Sequence, residues 1–249
     1  MNKILYLIFA IIINALNAES VEDQLFIEAN NYMIIQKYSE AIFTYEKILD
    51  MGIHSSELFY NLGNAYYRND DIGLSIWAYL SALKLKPRYE DASRNLLIAQ
   101  SQTKNKVELP KKVYIFEKYK KLRSILTFYE FIFIGSLIFM TFSIISFMVK
   151  VQLFKIKQIF NLNKVIIFIY LSVIILTIDK YYTNKNNKGV IIKESVDGFS
   201  GPDYGQNKVI LRLNEGVIFN ISNKKKDWFE IILIDGNKCW IENMSARVI

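Results

Sequence analysis

Three textures of apolar and polar residues succeed one another along the chain. The first is the uninterrupted apolar run. Ile4–Ile13 is one, too short to cross a bilayer as a helix. Phe128–Val149 is longer, with Glu130 as its one charge, at the edge. At ~1.5 Å per residue it reaches ~33 Å, enough for a hydrocarbon core. Val165–Ile178 is shorter and lies between Lys164 and Asp179; Leu162, Tyr181 and a snorkelling Lys164 extend it to a full span. The pattern predicts transmembrane helices over 125–149 and 165–182, with a loop at 150–164. The second texture mixes aromatic, small and polar residues between 19 and 105, and predicts helical hairpins. The third begins at Gly189: short alternating strands split by Gly, Asn and Asp turns, at Val209–Leu213, Val217–Ile221, Trp228–Ile234 and Cys239–Ile241. "DGN", Asp235–Asn237, is a hairpin turn.

The helical texture has a period. "ELFYNLGNAYYRNDDIGLSIWAYLSALKLKP", Glu57–Pro87, is too regular for a loop and too rich in small residues for a simple amphipathic pair. Antiparallel helices cross closely only where side chains are small. Gly63 on the first helix, and Ser75 and Ala82 on the second, give that clearance, and Leu62, Tyr66 and Tyr79 fill the space around them. Arg68–Asp71 supplies the turn; Pro87 stops the second helix and starts the next. Moving back 34 residues, Leu25, Ala29, Tyr32, Ala41 and Tyr45 match Phe59, Gly63, Tyr66, Ser75 and Tyr79, and Gly52 closes the hairpin. The two copies occupy 21–52 and 55–86, and "YEDASRNLLIAQSQ" caps the stack. The pattern Phe59, Leu62, Gly63, Tyr66, Ser75, Tyr79, Ala82, Pro87 resembles the tetratricopeptide (TPR) repeat. The resemblance implies a concave groove that binds peptides or domains and performs no chemistry. Its groove positions fall on Phe26, Asn30, Tyr60, Asn61, Asn64, Tyr67, Arg68, Arg94 and Asn95. Asn suits such a groove because its amide both donates to and accepts from a backbone. Asn30, Asn61 and Asn64 resemble the family's carboxylate clamp, but Phe26 stands where the first clamp Lys belongs.

Charge changes the picture at the membrane. The net charge is +7. Lys150, Lys155, Lys157 and Lys164 fill the loop between the spans without an acidic residue, which places it in the cytoplasm. Lys3, the Ile4–Ile13 run and the small residues near Ala15–Ala18 form a signal sequence over 1–18, cleaved or retained as an anchor. Residues 19–124 and 181–249 then face the exterior or periplasm. The basic segment at 106–124 has two readings: an amphipathic helix on anionic lipid with Val113, Phe116 and Tyr119 facing down, or a solvated helix leading into the membrane. One Cys, Cys239, and one His, His54, exclude an intrachain disulfide, a Cys/His zinc set and most imidazole catalysis. No nucleotide-binding or hydrolase motif is present. The expectation is a non-enzymatic protein without cofactor or metal.

The C-terminal 189–249 resembles bacterial SH3 (SH3b) domains in Ser200–Tyr204, Leu213–Val217, Trp228–Ile231 and Asp235–Ile241, with Cys239 in place of the usual Gly and "ARVI" as closing strand. Some such domains bind cell-wall peptides. Tyr204, Trp228 and Trp240 are the candidate ligand groove, or else core residues of a small barrel. The order as a whole (signal, TPR pair, two spans, SH3b) resembles the BatE family of the Bacteroides aerotolerance (Bat) operon. This implies a multi-domain membrane protein: an all-α TPR solenoid, a two-helix transmembrane hairpin and a small all-β SH3-like barrel. It also implies partners: von Willebrand factor A-type membrane proteins and a MoxR-type ATPase system. Two function classes follow, an inner-membrane scaffold or adaptor, and a peptidoglycan sensor or anchor acting through the SH3b domain. The basic surplus is assigned to the lipid bilayer and not to nucleic acid.

Overall fold

The computed structural model describes residues 20–103, 118, 119, 123, 125–151, 156–185, 187–203, 205 and 208–249. The expected signal at 1–18, most of the basic segment at 106–124 and Tyr204 lie outside the described residues. Five helices make the first unit: α1 (Val21–Ile34), α2 (Tyr38–Asp50), α3 (Ser56–Arg68), α4 (Ile72–Leu85) and α5 (Glu90–Gln102). Ser20 and Ser55 cap α1 and α3, their hydroxyls accepting from Asp23 N at 3.2 Å and Leu58 N at 3.0 Å. The 34-residue period extends into the backbone. Lys37 N donates to Tyr32 O and Asp71 N to Tyr66 O, both at 2.9 Å. Gln36 and Asp70 precede these donors, both left-handed at φ 60° and 67°. One turn geometry therefore reverses the chain in both hairpins.

Within the second hairpin Gly63 meets the Tyr79 ring. A Cβ at Gly63 would lie 2.7 Å from Tyr79 Cδ1 and Cε1. Ser75 Oγ donates to Gly63 O at 2.9 Å across the same crossing. Pro87 departs from expectation. α4 stops at Leu85 and α5 starts at Glu90, with Tyr89 at its N-cap. The proline ends one helix, but it stands in the linker and does not open the next.

Two further helices, α6 (Phe128–Lys150) and α7 (Ile156–Lys185), pack against each other. Both are long and apolar enough to cross a membrane, over Phe128–Lys150 and Lys164–Thr183. A capping box opens α6: Thr127 Oγ1 accepts from Glu130 N at 3.2 Å, and Glu130 Oε2 accepts from Thr127 N at 2.7 Å. The loop expected at 150–164 is shorter than predicted, because α7 already begins at Ile156. No Gly or Pro interrupts "IKQIFNLNK". Hydropathy marks where a helix meets lipid, not where its backbone hydrogen bonds start.

The C-terminal unit is a seven-stranded antiparallel sheet: β1 (Lys188–Ile191), β2 (Ser195–Phe199), β3 (Val209–Asn214), β4 (Ile218–Lys225), β5 (Trp228–Ile232), β6 (Lys238–Glu242) and β7 (Ala246–Val248). The strand order is β3-β2-β6-β5-β4-β1-β7. Ile191, Val196, Leu213, Val217, Phe219, Ile231, Cys239 and Ile241 form its core. Cys239 is 2% exposed, and burial pushes its thiol up to about 11, so it is an inert core residue.

This sheet docks on α4. Trp77 Nε1 donates to Val248 O at 2.9 Å. The Arg247 guanidinium lies 4.7 Å from the Trp77 ring centroid and 2.7 Å from Glu46 on α2, so β7 touches both hairpins. Val190 of β1 is wholly buried in the helical core. The two backbones approach closely at Gly73: a Cβ there would stand 2.5 Å from Ile191 O. The α4 N-terminus has no side-chain cap of its own. Glu215, on the β3–β4 turn, supplies one from the other unit, accepting from Gly73 N at 2.6 Å.

Burial raises the Glu215 carboxyl above its usual range, opposed by the Gly73 hydrogen bond and reinforced by Asp71, Asp70 and Glu194. A carboxyl whose pKa is raised on folding binds protons more tightly in the folded state. Its contribution is therefore largest at low pH and is lost as pH rises through the folded value. Glu215→Gln keeps an acceptor for Gly73 N and removes the desolvated charge. It is expected to raise the melting temperature at pH 7, the gain shrinking as pH falls through the carboxylate range. A gain that is the same at pH 4 and pH 7 would show that charge at this position is irrelevant.

Candidate functional site

The first helix of each hairpin and the capping helix, α1, α3 and α5, present one face carrying a ladder of amides. Asn30 Oδ1 accepts from Tyr45 OH at 2.5 Å and from Asn61 Nδ2 at 3.3 Å. Thirty-four residues on, Asn64 Oδ1 accepts from Tyr79 OH at 2.8 Å and from Asn95 Nδ2 at 2.9 Å. Each rung thus joins neighbouring hairpins through one carbonyl oxygen. Tyr45 is 0% and Tyr79 1% exposed. Burial raises both phenols, Tyr79 to about 12, so both remain proton donors at neutral pH and fix the amides' orientation. What is left over is regular. Among the described residues, no intramolecular hydrogen bond uses Nδ2 of Asn30 or Asn64, or Oδ1 of Asn61 or Asn95. Donors and acceptors therefore alternate along the ladder, matching the alternation of C=O and N–H along an extended peptide.

Beside the second rung lies an open cleft of about 500 Å³, lined by Met33, Tyr60, Asn64, Tyr67, Arg68, Tyr79, Asn95 and Ile98. Of the groove residues expected from sequence, Tyr60, Asn64, Tyr67, Arg68 and Asn95 come together here. Asn30 and Asn61 form the adjoining rung. Phe26 packs edge-on against Tyr45, with centroids 5.8 Å apart. Arg94 does not line the cleft; it pairs with Asp91 at 3.3 Å on the exposed side of α5. Four further residues belong to the site, the first being Tyr79, which the sequence assigned to the helix crossing alone. Met33 and Ile98 stand 34 residues from Tyr67 and Asn64, so the period itself points to them. Gln102 Nε2 donates to Tyr67 OH at 2.6 Å, for which the sequence gives no signal.

In the β-unit, Trp228 is 9% exposed and meets Phe199 edge-on at 5.6 Å. Trp240 is half-buried and opposite Phe199 in the β2–β6 pair. Trp228 therefore contributes mainly to packing, and Trp240 and Phe199 form the more open part of that aromatic group. Among the described residues, no three His, Cys, Asp or Glu side chains are grouped to hold a metal.

Polar contacts also surround the start of α6 and the end of α7. Asp179 accepts from Arg123 at 2.8 Å and from Tyr119 OH at 2.9 Å. Tyr119, which faces lipid in one of the two readings of the basic segment, turns its hydroxyl to this carboxylate. Arg88, in the α4–α5 linker, binds Glu130 Oε1 at 2.5 Å.

The chain is thus a protein of several units: helical hairpins bearing an amide-lined groove, two membrane-length helices and an antiparallel β-sheet. No known family model matches it, and no curated protein does.

Proposed function

We propose that the protein is a non-enzymatic membrane scaffold that holds extended segments of partner proteins in the α1–α3–α5 groove, read as a TPR groove. The repeated Asn–Tyr ladder carries this reading, because it leaves amide donors and acceptors at the spacing of a repeat and commits none to chemistry. The helical and β-units face the same side of the inner membrane, the periplasm. Two membrane-length helices between units that pack on each other support that arrangement, as does the lysine-rich 150–164 segment. In keeping with the Bat-like order of segments, the partners are proteins of an envelope stress or aerotolerance complex, of the von Willebrand factor A and MoxR-ATPase kinds.

Asn64→Asp tests the groove with little damage to the fold. The aspartate still accepts from Tyr79 OH and Asn95, while the spare Nδ2 donor is gone. Loss of one such bond to a partner backbone is expected to cost roughly 1–3 kcal/mol, or about 5–150-fold in affinity. Partners should be lost on co-purification from membranes, while Lys225→Ala on β4 keeps them. Retention of every partner by Asn64→Asp would exclude the groove as the interface. Topology has its own test. A reporter active only outside the cytoplasm should be active after Ile249 and silent at residue 153; reversed activity would invert the membrane orientation.

A second reading, binding of peptidoglycan by the SH3b-like β-unit, is favoured by the aromatic group at Phe199 and Trp240. Pull-down of the full chain by wall fragments, abolished by Trp240→Ala but not by Asn64→Asp, would support it over the first.

A further inference from the structure

We infer that the groove's occupant is an extended, acid-bearing stretch lying just outside the membrane span of a second protein anchored in the same bilayer; this rests on the groove reading above. The link between groove and apolar helices carries the inference. Tyr60 forms one rim of the cleft, and its ring centroid lies 4.9 Å from that of Tyr89. The preceding residue, Arg88, donates to Glu130 Oε1 at 2.5 Å and to Ile125 O at 3.4 Å. Glu130 is the carboxylate of the capping box that opens α6. The groove rim is therefore one residue along the chain from a contact with the first turn of a membrane-length helix. Tyr129, Tyr181 and Tyr182 are all more than half exposed at that same end of the α6–α7 pair. Tyrosine at such a place marks the bilayer–water boundary. From Tyr60, α3 runs eight residues to Arg68, about 12 Å at ~1.5 Å per residue, so the cleft stays close to that boundary.

A chain segment that continues directly into the bilayer fits this height. Anchoring both proteins in one membrane also raises the effective concentration of the segment at the groove. Charge selects among such segments. Arg68 is the one charged residue lining the cleft, and among the described residues it makes no ion pair. The protein's own stretch outside the first span, Lys111–Arg123, is strongly basic, so a second copy of this chain offers the wrong sign.

The test is photo-crosslinking in intact cells from a photoreactive amino acid replacing Tyr67 in the full-length protein. A probe at Lys225 on β4 serves as control. The expected adducts survive alkaline carbonate extraction of the membranes. Their crosslinked peptides map within about six residues of an apolar span, since six extended residues cover ~20 Å. They contain Asp or Glu, and Arg68→Glu lowers their yield by at least about fivefold. Adducts with soluble proteins, or with remote domains of membrane proteins, would overturn the juxtamembrane occupant and leave the groove reading standing. Adducts at the mass of two copies of this chain would identify a second copy and overturn the charge argument. No adduct from Tyr67 beyond those seen from Lys225 would overturn both readings.

Discussion

Replacing Gly63 with leucine is expected to destabilise the helical unit by roughly 1–3 kcal/mol or more, the cost of overpacking a closed crossing. Even a methyl group at Gly63 would stand 2.7 Å from the Tyr79 ring. The ring has nowhere to go: Tyr79 is 1% exposed, and its hydroxyl is held by Asn64 Oδ1 at 2.8 Å. Separating α3 from α4 instead would stretch the Ser75 Oγ bond to Gly63 O, now 2.9 Å. Either relaxation disturbs a rung of the amide ladder, so binding through the proposed groove should fall together with stability. The measurement is thermal unfolding of the purified protein in detergent, followed by circular dichroism. A melting curve identical to that of the unaltered protein would mean that the two helices do not cross at Gly63.

Trp77→Ala should have the largest effect of a single truncation, about 3–5 kcal/mol. Its side chain is 7% exposed and serves two units at once. The ring meets Phe59 edge-on at 5.6 Å within the hairpin. On its other side lies the Arg247 guanidinium, and Nε1 donates to Val248 O at 2.9 Å. Truncation leaves a cavity, orphans the Val248 carbonyl and removes the surface against which Arg247 holds Glu46. The β-unit should loosen from α4 before either unit unfolds. Hydrogen exchange resolves this: amides of β1 and β7 should lose protection while those of β5 and β6 keep it. Unchanged protection in β1 and β7 would show that docking does not depend on Trp77.

The hairpins were legible because their determinants are local and repeat. Gly63, Ser75 and Tyr79 have counterparts 34 residues earlier, and the turn at Arg68–Asp71 is written in polar residues. The strands at 209–241 were legible for a similar reason, since alternation and a "DGN" turn need no distant partner. β1 and β2 escaped notice. "KGVI" and "SVDGF" are short, and their pairing partners lie far along the chain. Tyr60, Asn64, Tyr67, Arg68 and Asn95 of the cleft followed from the repeat pattern, whereas Met33 and Ile98 did not, although the same period points to them. Arg94, expected in the groove, pairs with Asp91 three residues earlier on α5 and does not line the cleft. Docking of the β-unit was the main feature missed, although a sign of it was present. "IGLSIWAYLSALKL" is apolar around its whole circumference, and nine of its 14 residues are buried. A helix with a free outer face does not look like this. The sequence could indicate that α4 is covered on more than one side, but not that Glu215, Arg247 and Val248 do the covering.

That cover arrives late. Trp77 and Val248 are separated by 171 residues, and between them the chain makes two membrane-length helices. At ~5–20 residues per second of synthesis, roughly 10–30 s pass between the emergence of the one and of the other. During that interval the first hairpins are complete in sequence, yet Ile76 and Trp77 have no lid. A chain interrupted before residue 188 lacks β1 and β7 and keeps this apolar stripe on display. The apolar stripe on α4 is thus closed only by strands that are made last, so burial of Trp77 reports that the chain has been completed.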